Sequence, residues 1–97
     1  MFARITTLRF QPETDEQGFE LVAHSIVPTI KEQHGFKGLL LLRDSSTGSA
    51  TTVTLWESEV DMEVTARGNY PVQLAKISGL LAGAPTRQIY EVKEVSL

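Results

Sequence analysis

The sequence predicts an α+β domain of the ferredoxin-like class, with elements in the order β-α-β-β-α-β. Three observations support this class: β-branched, strand-like segments near both ends of the chain, two helical stretches with apolar residues every three or four positions, and a central pair of strand segments joined by a turn cluster. Right-handed crossovers would place both helices on one face of a four-stranded antiparallel sheet. The length of 97 residues predicts a single domain, residues 1–97.

Composition excludes several classes of function. The net charge is -3 and the nine basic residues are dispersed, which argues against a nucleic-acid partner. The chain has no cysteine, so disulfides and thiolate metal sites are excluded, and a reducing cytoplasm fits this composition. The longest apolar run, Leu39–Leu42, is far too short to cross a bilayer. We therefore expect a soluble, cytoplasmic protein without a membrane partner.

The first strand is predicted over residues 3–10, which alternate loosely between apolar and polar types. Thr14 and the acidic residues after it predict a capping box that begins the first helix. Pro28 lies inside that helix and predicts a local kink, and Gly35 predicts its end. The apolar stripe of the helix has spacings of three and four, at Phe19, Val22, Ala23, Ile26 and Ile30.

Two further strands, residues 36–43 and 51–56, predict a hairpin around the turn cluster at residues 44–48. Ser58 and Asp61 predict a second capping box at the start of a helix over residues 59–67. A break follows, and Pro71 then suits the first turn of a new helical piece. The last strand is predicted over residues 86–95.

The four consecutive leucines, Leu39–Leu42, predict self-association. Two of their side chains point to each face of the sheet, whereas the helices cover one face. Burying a leucine stabilises a protein by about 1.5–3 kcal/mol, so a second copy packed sheet against sheet is the simplest cover. We expect a homodimer, with the following residues adding to the apolar face: Leu8, Phe10, Tyr90 and Val92.

Trp56 is the first candidate site residue. Thr52, Thr54 and Trp56 share one side of the third strand, whereas Val53 and Leu55 make the more apolar side. The apolar side is expected to face the helices, so Trp56 is expected on the open side, between the two sheets. Trp56 is then either a packing residue of the dimer contact or a flat wall for a planar ligand, with Thr52 and Thr54 as hydroxyl partners.

The segment Arg67-Gly68-Asn69-Tyr70-Pro71 is the second candidate. It interrupts a helix with groups that donate and accept hydrogen bonds, as the rims of pockets do. The alternative interpretation is a simple helix break without a function. The two histidines, His24 and His34, have no partner at ligand spacing, so no metal site is predicted.

A family resemblance rests on residues 35–44, Gly-Phe-Lys-Gly-Leu-Leu-Leu-Leu-Arg-Asp, followed by Trp56-Glu57-Ser58-Glu59. These motifs resemble the antibiotic biosynthesis monooxygenase family, a member of the dimeric α+β barrel group. The resemblance implies a homodimer whose sheets form a barrel, with a small apolar pocket between sheet and helices. Members with assigned activity oxygenate polycyclic phenols or quinol-like substrates without metal or flavin, or degrade haem.

The chain departs from this family at three positions. Many relatives carry Glu where Thr54 stands, and His where Thr65 and Tyr70 stand. Haem degradation is disfavoured because the haem-degrading branch needs a histidine on the second helix. Acylphosphatase and RNA-recognition domains share the element order, but the phosphate cradle of the first and the basic, aromatic sheet of the second are missing.

Two hypotheses remain. The first is a cofactor-independent monooxygenase for a phenolic or quinol-like metabolite, in which Trp56 stacks on the ring and Tyr70 or Asn69 orients the phenolic oxygen. Thr52, Thr54 and Arg67 would add substrate contacts, and neither cofactor nor metal is expected. The second is a non-catalytic binding or regulatory domain that uses the same pocket for a small ligand.

Overall fold

The computed structural model describes residues 1–97 and confirms the predicted order of elements. The strands and α-helices are β1 (Phe2–Arg9), α1 (Asp15–Leu21), α2 (Val27–Lys31), β2 (Phe36–Asp44), β3 (Ser49–Trp56), α3 (Glu59–Arg67), α4 (Asn69–Ile77) and β4 (Thr86–Glu91). One antiparallel sheet has the strand order β2-β3-β1-β4, the ferredoxin-like arrangement. None of the helices has the length and apolar character that crossing a bilayer demands.

The disturbance expected at Pro28 takes the form of a π-helical segment, Val22–Ile26, between α1 and α2. Proline lacks an N–H and its ring collides with the carbonyl four residues earlier, and the wider π turn relieves both constraints. The capping box predicted at Thr14 is wrong. Thr14 has a nearly helical backbone (φ -110°, ψ -2°), and its hydroxyl instead donates to the Gln11 carbonyl at 2.8 Å.

The start of α3 is as predicted, because the Ser58 hydroxyl accepts a hydrogen bond from the Asp61 amide at 3.1 Å. Only Gly68 separates α3 from α4, which begins at Asn69, so Pro71 lies in the first turn of the second piece as predicted. Pro71 fits there because the first turn of a helix needs no amide donors.

The last strand ends at Glu91 rather than at Val95, because its partner strand β1 begins at Phe2 and offers no further residues for pairing. β4 pairs only with β1, in which Phe2 lies opposite Glu91, and the last bond joins the Val92 amide to the Met1 carbonyl at 2.9 Å. β2 is the other edge of the sheet.

The two faces of the sheet follow from the strand register. The helices pack on what we call the covered face, and its residues include Arg4, Thr6, Leu8, Leu39, Leu41, Ala50, Thr52, Thr54 and Trp56. The opposite, open face includes Ile5, Thr7, Leu40, Leu42, Thr51, Val53, Leu55, Gln88 and Tyr90.

The leucine strand divides between the two faces as predicted. Leu39 and Leu41 pack against the hydrophobic core, whereas Leu40 is 60% exposed and Leu42 is 49% exposed. Two additional residues expected on the open face, Leu8 and Phe10, are instead buried in the core. The core combines residues of the sheet side with residues of both helical regions: Leu8, Phe10, Val22, Ile26, Val27, Ala50 and Ile77.

The orientation predicted for β3 is wrong. Thr52, Thr54 and Trp56 are buried on the covered face, and Val53 and Leu55 are half-buried on the open face. The apolar side of a strand normally faces the helices, but here the covered face also forms the wall of a pocket, which accommodates polar side chains. Trp56 therefore lies beneath the helices and not between two sheets.

Candidate functional site

A pocket lies between the covered face of the sheet and the helices, directly beside the hydrophobic core. Its volume of about 70 Å³ exceeds the roughly 10–15 Å³ that one buried water requires. Eighteen residues line it: Arg4, Thr6, Leu8, Val22, Ile26, Ile30, Thr52, Thr54, Trp56, Met62, Thr65, Ala66, Asn69, Tyr70, Gln73, Leu74, Ile77 and Arg87.

The strand wall of the pocket is fixed by hydrogen bonds through Thr54. The Trp56 indole Nε1 donates to the Thr54 hydroxyl at 3.0 Å, and this hydroxyl donates to the Arg4 carbonyl at 3.4 Å. The rings of Phe36 and Trp56 are nearly perpendicular, with their centroids 5.9 Å apart. Trp56 is thus held in one orientation, as a flat aromatic wall needs.

The helix wall comes from α4, which begins where Gly68 interrupts the helical run. Asn69, Tyr70 and Gln73 all reach the pocket because positions one turn apart share a helix face. The Gln73 amide nitrogen donates to the Asn69 side-chain oxygen at 3.0 Å. The helix break therefore brings three polar side chains to one side of the pocket.

Tyr70 contributes a phenolic side chain to the lining of the pocket. Arg87 from β4 stacks its guanidinium over the Tyr70 ring, 3.7 Å from the centroid, a cation–π contact. Burial raises the pKa of the Tyr70 hydroxyl, and the positive charge of Arg4 opposes this rise. Tyr70 therefore stays protonated at neutral pH and can donate a hydrogen bond.

Arg4 is the deepest charged residue of the pocket, at 8% exposure. Its terminal nitrogen contacts a carboxylate oxygen of Glu63 at 3.4 Å, and its Nε is buried without a partner. Burial lowers the pKa of the Arg4 guanidinium, and Glu63 acts in the opposite direction. Gln73 likewise keeps a buried, unpartnered oxygen, Oε1. Unpaired buried polar atoms are rare in proteins, so each of these two atoms needs a partner such as a ligand or a water molecule.

The structure brings together five of the six residues singled out from sequence: Thr52, Thr54, Trp56, Asn69 and Tyr70. Arg67 is exposed and does not line the pocket. The two guanidiniums that do line it, Arg4 and Arg87, were missed, as was Gln73. A signal for Arg4 was present, because it has the same strand parity as the core residue Leu8.

The histidines lie away from the pocket. His24 is exposed and pairs with Glu20 at 2.9 Å, and His34 contacts Asp61 at 2.9 Å. No group of three or more His, Cys, Asp or Glu side chains is placed to hold a metal ion.

No protein-family model matches the chain, and no curated protein matches it. Solved structures do match over nearly the whole chain. A Nitrosomonas europaea protein of unknown function, NE2512, has a TM-score of 0.85 at 16% identity, covering 99% of this chain and 92% of its own.

A second similar structure is the monooxygenase from the gene ActVA-Orf6 of Streptomyces coelicolor, solved in complex with nanaomycin D. It has a TM-score of 0.79 at 22% identity, covering 99% of this chain and 90% of its own. An antibiotic biosynthesis monooxygenase has a TM-score of 0.79 at 14% identity, covering 97% of this chain and 100% of its own. Several other similar structures carry the same family name. The chain therefore has the fold of the antibiotic biosynthesis monooxygenases.

Proposed function

We propose that this chain is a cofactor-independent monooxygenase, acting in the cytoplasm as one domain on a small phenolic or quinol-like metabolite. The observation that carries the proposal is the gathering of Trp56, Tyr70 and Asn69 around one buried pocket on the covered face. A protein of the same fold was solved in complex with nanaomycin D, which supports an aromatic ligand for this chain.

Trp56 would stack on the substrate ring. Its indole is already fixed by Thr54 and Phe36, so little side-chain entropy is lost when a planar ligand binds. Thr54 thus acts mainly on Trp56, whereas Thr52 would offer its hydroxyl to the ligand.

Tyr70 and Asn69 would orient the phenolic oxygen. Tyr70 keeps its proton and can donate a hydrogen bond to that oxygen. The side-chain oxygen of Asn69 is occupied by Gln73, which leaves the Asn69 amide nitrogen to donate to the ligand.

The reaction balances without an external reductant. A phenol and O₂ yield a quinone and water: one oxygen atom becomes the new ring carbonyl, the other leaves in water, and the substrate supplies the four electrons. The protein would lower the barrier by holding the substrate close to oxygen and by excluding bulk water.

We also propose that the protein is a homodimer joined through the open face. Leu40 and Leu42 lie exposed on an edge strand beside the half-buried Val53 and Leu55. An apolar edge left bare promotes aggregation. A second copy packed against this face would cover both leucines and leave the pocket accessible from the helix side.

A non-catalytic binding or regulatory role is the second candidate. It is favoured by one observation: the pocket lining contains no His, Asp, Glu or Lys, so no conventional general base faces the substrate. The same pocket would then bind an aromatic ligand without converting it.

Oxygen uptake with a panel of quinols and polycyclic phenols separates these two functions. For an enzyme, we expect Trp56→Ala to lower turnover by on the order of tenfold to a hundredfold through misplacement of the substrate, and Tyr70→Phe by about tenfold through one lost hydrogen bond. Tyr90→Phe, which removes the same hydroxyl from the open face, is the matched control and should leave turnover unchanged.

Saturable binding without oxygen uptake would favour the regulatory role. Oxygen uptake that is unchanged in both pocket variants would contradict the site.

A further inference from the structure

The pocket carries charge of one sign only. Arg4 and Arg87 are the ionisable basic residues of its lining, and no acidic residue lines it. The whole chain, by contrast, has a net charge of -3. Two guanidiniums around a partly desolvated cavity create a positive potential that favours an anion.

The two arginines differ in the contacts that their guanidiniums make within the protein. Arg87 is exposed at the rim and its guanidinium stacks on the Tyr70 ring. Arg4 is buried, and its one acidic contact is Glu63 at 3.4 Å. Charge-assisted hydrogen bonds are typically about 2.7–2.9 Å long, so this contact is a weak one.

The Glu63 contact also leaves Arg4 incompletely bonded. The Glu63 side chain is 38% exposed and therefore partly hydrated, and the Arg4 Nε has no acceptor. A buried N–H group on a cation is costly to leave unpaired. Arg4 thus has bonding capacity that Glu63 does not fill.

We infer that Arg4 is the counter-ion for an oxyanion carried by the ligand, either an aryl carboxylate or a phenolate. This inference deepens the proposed function, on which it rests for the location of the ligand, by naming the charge that the ligand bears when bound. Glu63 competes with the ligand for the Arg4 guanidinium. Because the Glu63 carboxylate is already partly hydrated, its movement away from Arg4 costs little free energy.

A purely structural Arg4, which only ties α3 to β1 through Glu63, makes a different prediction. In that case the removal of the Glu63 charge weakens the fold and leaves ligand charge irrelevant. If Arg4 binds the ligand anion, the removal of the Glu63 charge tightens the binding of anions specifically.

The test compares ligands of nearly equal shape and different charge. Trp56 is the single tryptophan, so its indole N–H gives one NMR signal in the wall of the pocket. This signal is titrated with 2-naphthoate against the neutral 2-naphthamide, and with benzoate against benzamide. We expect each anion to bind the native protein about tenfold more tightly than its amide.

Three variants assign this preference to Arg4. Arg4→Met should bring the ratio of the two affinities close to one, and Glu63→Gln should raise it several-fold. Arg67→Met removes the same charge outside the pocket and should leave the ratio unchanged. Titration of bound 2-naphthol by absorbance separates the two sources of the anion, because a phenolate site ionises it at lower pH in the native protein than in Arg4→Met.

Equal affinities for anion and amide in the native protein, combined with naphthol bound as the neutral phenol, would overturn the inference. A preference that survives Arg4→Met would do the same, as would the failure of either anion to bind at millimolar concentration. If Arg4→Met does not fold, Glu63→Gln decides alone, since an unchanged ratio contradicts the competition. A lack of oxygen uptake would sink the catalytic proposal and leave these ratios intact.

Discussion

The covered and open faces of the sheet have exchanged the characters that their surroundings would normally give them. The covered face buries Arg4, Thr6, Thr52 and Thr54 beneath the helices. The open face presents leucines, with Leu40 more than half exposed. Burying a polar group without a partner costs about 1–3 kcal/mol, and exposing a leucine forfeits about 1.5–3 kcal/mol.

Neither face is arranged for the stability of an isolated chain. Polar residues are retained under the helices because they line a cavity, and apolar residues are retained in the open because, as we propose, another molecule covers them. The polarity of a strand therefore reflects what each of its faces contacts in the working protein, and that contact need not be the hydrophobic core.

The largest expected effect is on the oligomeric state, after a charge is introduced on the open face. Leu40→Glu places a carboxylate in the centre of the proposed contact between copies, where burying an unpaired charge costs several kcal/mol. We expect sedimentation velocity at micromolar concentration to show a dimer for the native protein and a monomer for Leu40→Glu.

Val64→Glu is the matched control, because Val64 is exposed to a similar extent but lies on α3, outside the sheet. It should remain dimeric. A native protein that sediments as a compact monomer would show that no second copy covers the open face.

The second effect concerns a hydroxyl on the covered face. Thr54→Val leaves the buried Trp56 indole N–H without an acceptor, so we expect the free energy of unfolding to fall by about 1–3 kcal/mol. Thr51→Val, the same change on the open face, loses only a half-exposed bond to Thr7. Urea denaturation of both variants checks the contrast, and equal losses would contradict a difference between the faces.

The elements of the fold could be predicted from local sequence signals, whereas the facing of a strand could not. β-branched runs, the turn cluster at residues 44–48 and the cap at Ser58 marked the elements because these are local signals. The facing of β3 was predicted wrongly because Val53 and Leu55 are the more apolar pair, and polarity identifies the core only when the other face meets water.

Arg4 was missed for the same reason. A charged residue on a strand is usually assigned to solvent, and its parity with Leu8 and the bulky Phe10, both in the core, was the better guide. Trp56, Asn69 and Tyr70 were found because each lies at a terminus of an element: Trp56 is the last residue of β3, and Asn69 and Tyr70 are the first two residues of α4.

The smallest expected effect is on the pH dependence of stability and concerns Asp61 on α3. Hydrogen bonds from His34 and Ser58 hold the pKa of Asp61 below its ordinary value. A folded-state pKa that is lower than the unfolded one stabilises the folded protein above the ordinary aspartate pKa of about 3.9, and this contribution is lost as the pH falls through the folded value.

Asp61→Asn should therefore lower the thermal midpoint at neutral pH, and the deficit should shrink as the solution is acidified. Glu59→Gln removes a charge from the same helical turn without these two bonds, so its deficit should change less with pH. A deficit for Asp61→Asn that is constant over the acid range would refute the role given to this carboxylate.

We propose that the covered face binds the ligand and that the open face binds a second copy. The most direct test is one NMR titration of the native protein with a quinol, following the Trp56 indole N–H together with the leucine methyl groups. We predict that the indole signal shifts and saturates while the methyl signals of Leu40 and Leu42 stay in place. Saturating shifts at Leu40 and Leu42 with an unmoved indole would contradict the claim.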